Sequence, residues 1–206
     1  MLSESHVKAL RLQSKRVQVI PNDIARPNEV LPMLVRGRRA IFLGEVSRRK
    51  GVDLLLQAWS AAETAGWQLE IYGEIKDEDL FDQFPELQGH YKGYASGPLV
   101  NGLLSQASIF VLPSRAEAFS MAVVEAMANG CSLIVTDVGA IQEMIAAEAY
   151  GQIVPGNDWR SLSSLMTRQM ASTQDREDFA LSNREASKRF DQETVNLAWV
   201  ETYFNR

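Results

Sequence analysis

Ile109-Phe-Val-Leu-Pro-Ser-Arg-Ala-Glu-Ala-Phe-Ser-Met-Ala-Val-Val-Glu-Ala-Met-Ala-Asn-Gly-Cys-Ser-Leu-Ile-Val-Thr136 places two branched apolar runs on either side of a loop and a helical pattern. The runs Ile109 to Pro113 and Ser132 to Thr136 are too continuously apolar to have a wet face, as expected of strands covered on both sides. Met121 to Asn129 reads as the helix between them, and Gly130 follows where a left-handed C-terminal residue is wanted. Strand, crossover helix and strand make one βαβ unit, whose strands run parallel.

The same alternation continues in both directions. Val17 to Ile20, Ala40 to Val46, Trp67 to Gly73 and Gln152 to Val154 read as further strands. Helical patterns cover Val52 to Thr64, Asp77 to Phe84, Leu99 to Gln106, Ala140 to Ala147, Trp159 to Met170, Arg176 to Lys188 and Glu193 to Phe204. Gly66 reads as a helix-ending glycine before Trp67, and Asp158 as the N-cap of the helix after Pro155-Gly156-Asn157. Met1 to Arg16 is polar and helical in pattern, with no strand before it to pack on. The expected fold is a Rossmann-like α/β domain with a parallel sheet between two helix layers.

Composition permits a self-sufficient core. The chain has 206 residues, 46% apolar and 23% charged, and its net charge is −5. That balance argues against a broad nucleic-acid surface, which needs clustered Lys and Arg. Two or three local cations would still suffice for a small anionic ligand. Cys131 is the only cysteine, so no intrachain disulfide can form, and a reducing cytoplasm is the expected setting. No apolar run reaches the length of a membrane span, and Met1 to Lys8 has no signal-peptide pattern.

Ligands of open parallel sheets bind beyond the carboxyl ends of the strands. The loop Gly44-Glu-Val-Ser-Arg-Arg-Lys50-Gly51 follows one strand and opens a helix. It reads either as a solvated basic turn or as a phosphate loop in which Lys50 reaches the anion. The loop Leu112 to Ser120 precedes a helix that is apolar nearly all round, with Ser120 as its expected N-cap. Glu125 lies in the middle of that helix. A buried carboxylate there needs either a salt bridge to an arginine or ligand hydroxyls that donate to it, as ribose hydroxyls do. Glu117 lies in the loop above, and the open N–H groups from Phe119 to Ala122 could face the same cleft. Asp77-Glu78-Asp79 has a D-x-D spacing, but acidic residues at a helix start are what the helix dipole favours, so no metal is assigned to it. His6 and His90 have no partners at metal spacing. Cys131 is expected to be buried.

Taken in order, these segments resemble the GT-B retaining glycosyltransferases, particularly the group often called family 4. Glu117 to Glu125 matches that group's E-x7-E motif, led by Val111-Leu-Pro-Ser114 and followed by Glu125-Ala-Met-Ala-Asn-Gly130. Gly139-Ala-Ile-Gln-Glu143 looks like its G-G-x-x-E segment, Gly44 to Gly51 like its G-R-x4-K-G loop, and Ile20-Pro-Asn22 like its interdomain I-P-N-G. The resemblance implies the C-terminal, donor-binding half of a two-domain enzyme. Residues 1–37 would be the end of the first half and the interdomain segment, and residues 38–206 the sugar-nucleotide-binding domain. The full enzyme would move a hexose from a nucleotide-diphosphate sugar to an acceptor with retention of configuration, in polysaccharide or glycolipid synthesis. It would work in the cytoplasm, in full-length form also peripherally at a membrane, and without a metal. Glu117 and Lys50 would be catalytic. Gly44, Arg49, Lys50, Glu117, Ala118, Phe119, Ser120, Met121 and Glu125 would bind the donor. Without the acceptor-binding half the chain alone would be inactive. The alternatives are a non-catalytic nucleotide-sugar-binding module or subunit, and a sugar-nucleotide epimerase of the same fold.

The match has departures. Glu45 stands where the family places an arginine, leaving Arg48 or, beside Lys50, Arg49 to replace that cation. Asp23 and Ala118 replace glycines, and Ile75 sits where a second glycine often follows the Trp67 to Gly73 strand.

Overall fold

The computed structural model describes residues 3–11 and 18–204. Six parallel strands form its sheet: β1 (Arg39–Leu43), β2 (Gln68–Tyr72), β3 (Tyr91–Gly93), β4 (Ile109–Leu112), β5 (Ser132–Thr136) and β6 (Ile153–Val154). The helices are α1 (Glu4–Ala9), α2 (Val52–Ala61), α3 (Leu80–Gln83), α4 (Leu87–His90), α5 (Pro98–Gln106), α6 (Met121–Ala128), α7 (Ile141–Met144), α8 (Trp159–Ala171), α9 (Thr173–Ser187) and α10 (Gln192–Phe204). The strand order is β3-β2-β1-β4-β5-β6. From β1 the chain winds one way and from β4 the other, so right-handed crossovers put α2 and α6 on opposite faces. Helix α8 packs on α2, and α9 on α6. This is the expected α/β architecture, Rossmann-like with its sheet between helix layers.

Central strands are buried along nearly their whole length, every residue of β4 and β5 included. Two faces under helices leave no place for polar side chains, which is why these runs read as unbroken apolar text. Helix α6 ends in a Schellman motif: Gly130 is left-handed (φ +67°) and donates to Met127 O, and Cys131 donates to Ala126 O. Asp158 caps α8 through bonds from the Arg160 and Ser161 amides.

Several expected elements take another form. Residues 18–20 have no regular structure and Val17 lies outside the described residues. Pro21, which follows at once, cannot donate to a ladder, and six strands complete the sheet without it. Strand β3 is legible only in the structure: it pairs at two positions of an edge, too short for a periodicity. The helix expected from Asp77 shrinks to α3, which begins at Leu80 after a turn whose Lys76 and Asp77 amides donate to Val46 O, beside an isolated bridge between Val46 and Ile75. The helix expected from Ala140 to Ala147 is reduced to α7, followed by a 3-10 turn. Gly66 is left-handed (φ +76°), yet α2 already ends at Ala61, so the glycine serves the turn that feeds β2.

The β5 edge shows how a short outer strand can be completed. Strand β6 pairs only with Val135 and Thr136. Beyond it, buried amides replace a backbone partner. Gln152 Oε1 accepts from the Leu133 amide, Gln169 Nε2 donates to Leu133 O at 2.8 Å, and Asn183 Nδ2 donates to Cys131 O at 3.0 Å. Gln152 and Asn183 also bond each other reciprocally, at 2.9 and 3.0 Å. No solvent reaches these amides, so each bond matters at the price of an orphaned group. Asn183→Leu should therefore lower stability by about 2–3 kcal/mol. Urea denaturation would show this as a lower midpoint with unchanged slope; an unchanged midpoint would mean that water replaces the amide.

Candidate functional site

Strands β1 and β4 are neighbours whose chains leave in opposite directions, so a crevice opens beyond their carboxyl ends. Its walls are the loop from Gly44 to Gly51 and the loop from Pro113 to Ser120. These two backbones touch. Gly51 is left-handed (φ +75°), and a Cβ there would fall 2.0 Å from Pro113 O. Only glycine permits both the angle and the contact. Gly139 (φ +60°) repeats the arrangement on the other side, where a Cβ would fall 2.1 Å from Glu117 O.

Within this frame Lys50 and Glu117, in different loops of the sequence, meet. Lys50 Nζ lies 2.6 Å from Glu117 Oε1, with side chains 16% and 6% exposed. The Ser114 hydroxyl donates to the same oxygen at 2.6 Å. Removing two charges from water costs several kcal/mol, returned only by close geometry and extra hydrogen bonds. Ser114 supplies one such bond.

The neighbouring cations are also engaged. Arg49 Nη2 lies 2.6 Å from Glu45 Oε2 and, through that bond, holds the Glu45 carboxyl below its ordinary range. Arg48 forks onto Asp79 at 2.6 and 2.9 Å, and its amide donates to Asp77 Oδ2 at 2.7 Å. The D-x-D spacing therefore serves an arginine, a role more specific than favourable charge at a helix start.

Helix α6 carries the remaining groups. Ser120 occupies the N-cap position and is buried, but its hydroxyl makes no capping bond, contrary to expectation. No side chain of the described residues caps the first turn, which begins at the half-buried Met121 and Ala122. Phe119 turns its ring onto Phe190, edge to face with centroids 5.8 Å apart. Both line a cavity of about 140 Å³ with Ala140 and Met144. Ala118 is exposed, and Gly44 donates to Tyr72 O at the end of β1. Glu125 is half-buried, and among the described residues its carboxylate has no ion pair or hydrogen bond. Burial alone pushes its pKa up. The salt-bridged alternative for this glutamate therefore has no arginine to rest on among the described residues.

Sequence reading gave no role to Arg115, Asp53, Asn157 or Ser114. Arg115 forks onto Asp53 and reaches Asn157, and Ser114 anchors Glu117. Only contact across 62 residues shows that Arg115 and Asp53 belong together, and no local pattern carries it.

Residues 34–186 match the family described as glycosyl transferases group 1. Among curated relatives, the phosphatidyl-myo-inositol mannosyltransferase of Mycolicibacterium smegmatis is 25% identical over 173 residues, covering 81% of this chain and 45% of the relative. The chain spans less than half the length of such relatives. Among solved structures, WaaG, a glycosyltransferase involved in lipopolysaccharide biosynthesis, superposes with a TM-score of 0.82 at 16% identity, covering all of this chain and 62% of WaaG. The pneumococcal O-GlcNAc transferase GtfA, solved with UDP and GlcNAc, gives 0.79 at 16% identity, covering 98% of this chain and 44% of GtfA. Such low identities speak for the fold, whereas the family match runs across the crevice loops, the βαβ unit and the helices behind them. On that match, the chain belongs to the glycosyl transferases group 1 family.

Proposed function

We propose that these 206 residues are the donor-binding half of a retaining glycosyltransferase, holding a nucleotide-diphosphate sugar in the crevice between β1 and β4. The observation that carries this reading is the Lys50–Glu117 pair, set at the switch point and eight residues ahead of an unpaired, half-buried Glu125. The donor diphosphate takes Lys50 from Glu117, replacing one anion by another. Glu117, released, accepts hydrogen bonds from hydroxyls of the transferred sugar. The uncapped N–H groups of α6 bind phosphate oxygens. Glu125 accepts from the ribose hydroxyls, which gives its desolvated carboxylate donors that the described residues do not provide.

Bond breaking builds negative charge on the departing diphosphate. Lys50 and the α6 amides face that charge already oriented, so they stabilise the transition state more than the ground state. Positive charge from these groups removes the need for a metal, and Asp77 and Asp79 are spent on Arg48. Acceptor recognition, and hence transfer, belongs to the whole enzyme; this chain alone should bind donor without turning it over. Hexose transfer into a polysaccharide or glycolipid fits the relatives' names, and the setting would be the cytoplasm or a membrane surface. No helix among the described residues is long and apolar enough to cross that membrane.

Calorimetric titration with UDP, GDP and ADP tests the reading, with UDP first because the GtfA structure contains it. One nucleotide should bind with a Kd between about 1 μM and 1 mM, and Lys50→Ala should weaken it at least about tenfold, or ~1.4 kcal/mol. Indifference to Lys50→Ala, or no binding by any of the three, would sink the donor assignment. Glu45→Ala frees Arg49 to meet the diphosphate and should tighten binding about two- to fivefold, within what an exposed pair is worth. That gain should fade near 1 M salt; a loss of affinity would mean that Glu45 itself supports the loop.

Glu125→Gln should separate affinity from stability. A carboxyl whose folded pKa is raised binds its proton more tightly in the native state, so ionising it costs stability as pH rises through that pKa. Glutamine removes this cost. The variant should melt higher than the parent at pH 7 to 8, match it below the ordinary glutamate range, and bind nucleotide more weakly. A variant less stable at neutral pH would show that the carboxylate has a structural partner.

A further inference from the structure

Arg115 ties together several loops around the crevice, and its guanidinium nitrogens bond to groups other than Lys50 and Glu117. Its Nη1 and Nη2 fork onto Asp53 at 2.7 and 2.8 Å, with side chains 30% and 14% exposed. Asp53 is in the first turn of α2, where the helix dipole already favours a carboxylate. Nη1 also donates to Arg48 O, and the backbone amide of Arg115 donates to Arg49 O at 2.8 Å. Both carbonyls just before Lys50 are therefore held by one residue of the opposite loop. The residue after Lys50 is Gly51, seated on Pro113 O. On its far side, Nε donates to Asn157 Oδ1 at 2.7 Å. Asn157 is a non-glycine residue at φ +58°, a conformation of higher energy that the surrounding bonds must hold in place.

We infer that Arg115 is a positioning residue: by clamping the Lys50 loop, the start of α2 and the loop after β6 to its own loop, it fixes Lys50 at bonding distance from the anion in front of it. That anion is Glu117 in the free protein and, on the donor reading above, which this inference rests on, the diphosphate in the complex. A single residue, Ala116, separates Arg115 from Glu117 along the chain, so the clamp and the anion are carried by the same short loop. Arg49 adjoins Lys50 and Arg48 is one residue further back, so a displacement of either carbonyl would be passed to Lys50 within two residues of backbone. Arginine suits the role because its planar fork spans both carboxylate oxygens of Asp53 while a further N–H reaches Arg48 O. A lysine ammonium, a point charge, cannot hold the two oxygens in one plane.

Two readouts on the intact 206-residue chain test this. The first needs no nucleotide. Lys50, 16% exposed against Glu117, should be protected from acetic anhydride, with acylation followed by peptide mass spectrometry. Arg115→Gln should raise Lys50 acylation several-fold, and Arg115→Lys should restore part of the protection. Arg39→Gln, which removes a similar fork to Glu70 at the start of β1, should leave Lys50 protected. The second readout is titration with UDP and with uridine. Arg115→Gln should weaken UDP about tenfold and leave uridine unchanged, since only the phosphate part depends on Lys50. Unchanged acylation in Arg115→Gln overturns the inference whatever the nucleotide does. Equal rises in Arg115→Gln and Arg39→Gln also overturn it, by showing general loosening. Equal weakening of UDP and uridine does the same. If acylation responds as expected while the parent chain binds no nucleotide, the clamp on Lys50 is supported and the donor assignment is what falls.

Discussion

The contact of Gly51 with the Pro113 carbonyl sets the scale of everything around the crevice. Two adjacent parallel strands that wind apart would ordinarily leave a wide gap beyond their ends. Here the backbones close on each other because one position has no side chain, and the charged groups inherit that spacing. Lys50 and Glu117 meet because their loops meet. The hydrogen bonds from Arg115 to Arg48 O and Arg49 O lie along the same seam, one from its guanidinium and one from its backbone amide, so main chain and a single side chain fix the spacing together.

Charge within the site follows a consistent scheme. Each cation of the Arg48-Arg49-Lys50 run has an acidic partner, at Asp79, Glu45 and Glu117 respectively. The three pairs differ in burial, and so in worth. Arg48 and Arg49 are exposed enough for solvent to screen most of their attraction. Lys50 and Glu117 are not, and separating them without a replacement anion would strand two charges in a poor dielectric. Exchange for a ligand anion is therefore the favourable way to open this pair. Glu125 is the opposite case, a carboxylate without hydrogen-bond donors among the described residues, where burial already penalises it.

Much of the fold was legible in the sequence because burial on both faces leaves a strong mark. The runs that became β1, β4 and β5 could hardly be anything else, and the Gly130 and Asp158 signals fell on real helix ends. Legibility failed where structure depends on partners distant in sequence. Strand β3 exists because β2 offers it an edge. The helix expected from Asp77 begins only at Leu80, after a segment tied to Val46, 30 residues earlier, across an isolated bridge. Glu117 and Glu125 could be singled out in the sequence because the E-x7-E spacing is local. Arg115 and Asp53 could not, because each looks ordinary alone: a cation in a loop and an acid at a helix start. Ser120 shows the limit from the other side, a residue of the right type at the right position whose hydroxyl does not make the expected bond.

The amide-sealed edge of β5 has a bearing on how the chain reaches its fold. An unsealed strand edge is a template for pairing with another molecule. The groups that seal this one arrive late: Gln152, Gln169 and Asn183 follow β5 along the chain, the last of them 50 residues after Leu133. Until α8 and α9 dock, the centre of the sheet can be complete while its flank still invites a stranger. During synthesis this makes the final quarter of the chain a guardian of what precedes it, and gives the polar residues of α9 a value that no measurement on the finished molecule would reveal.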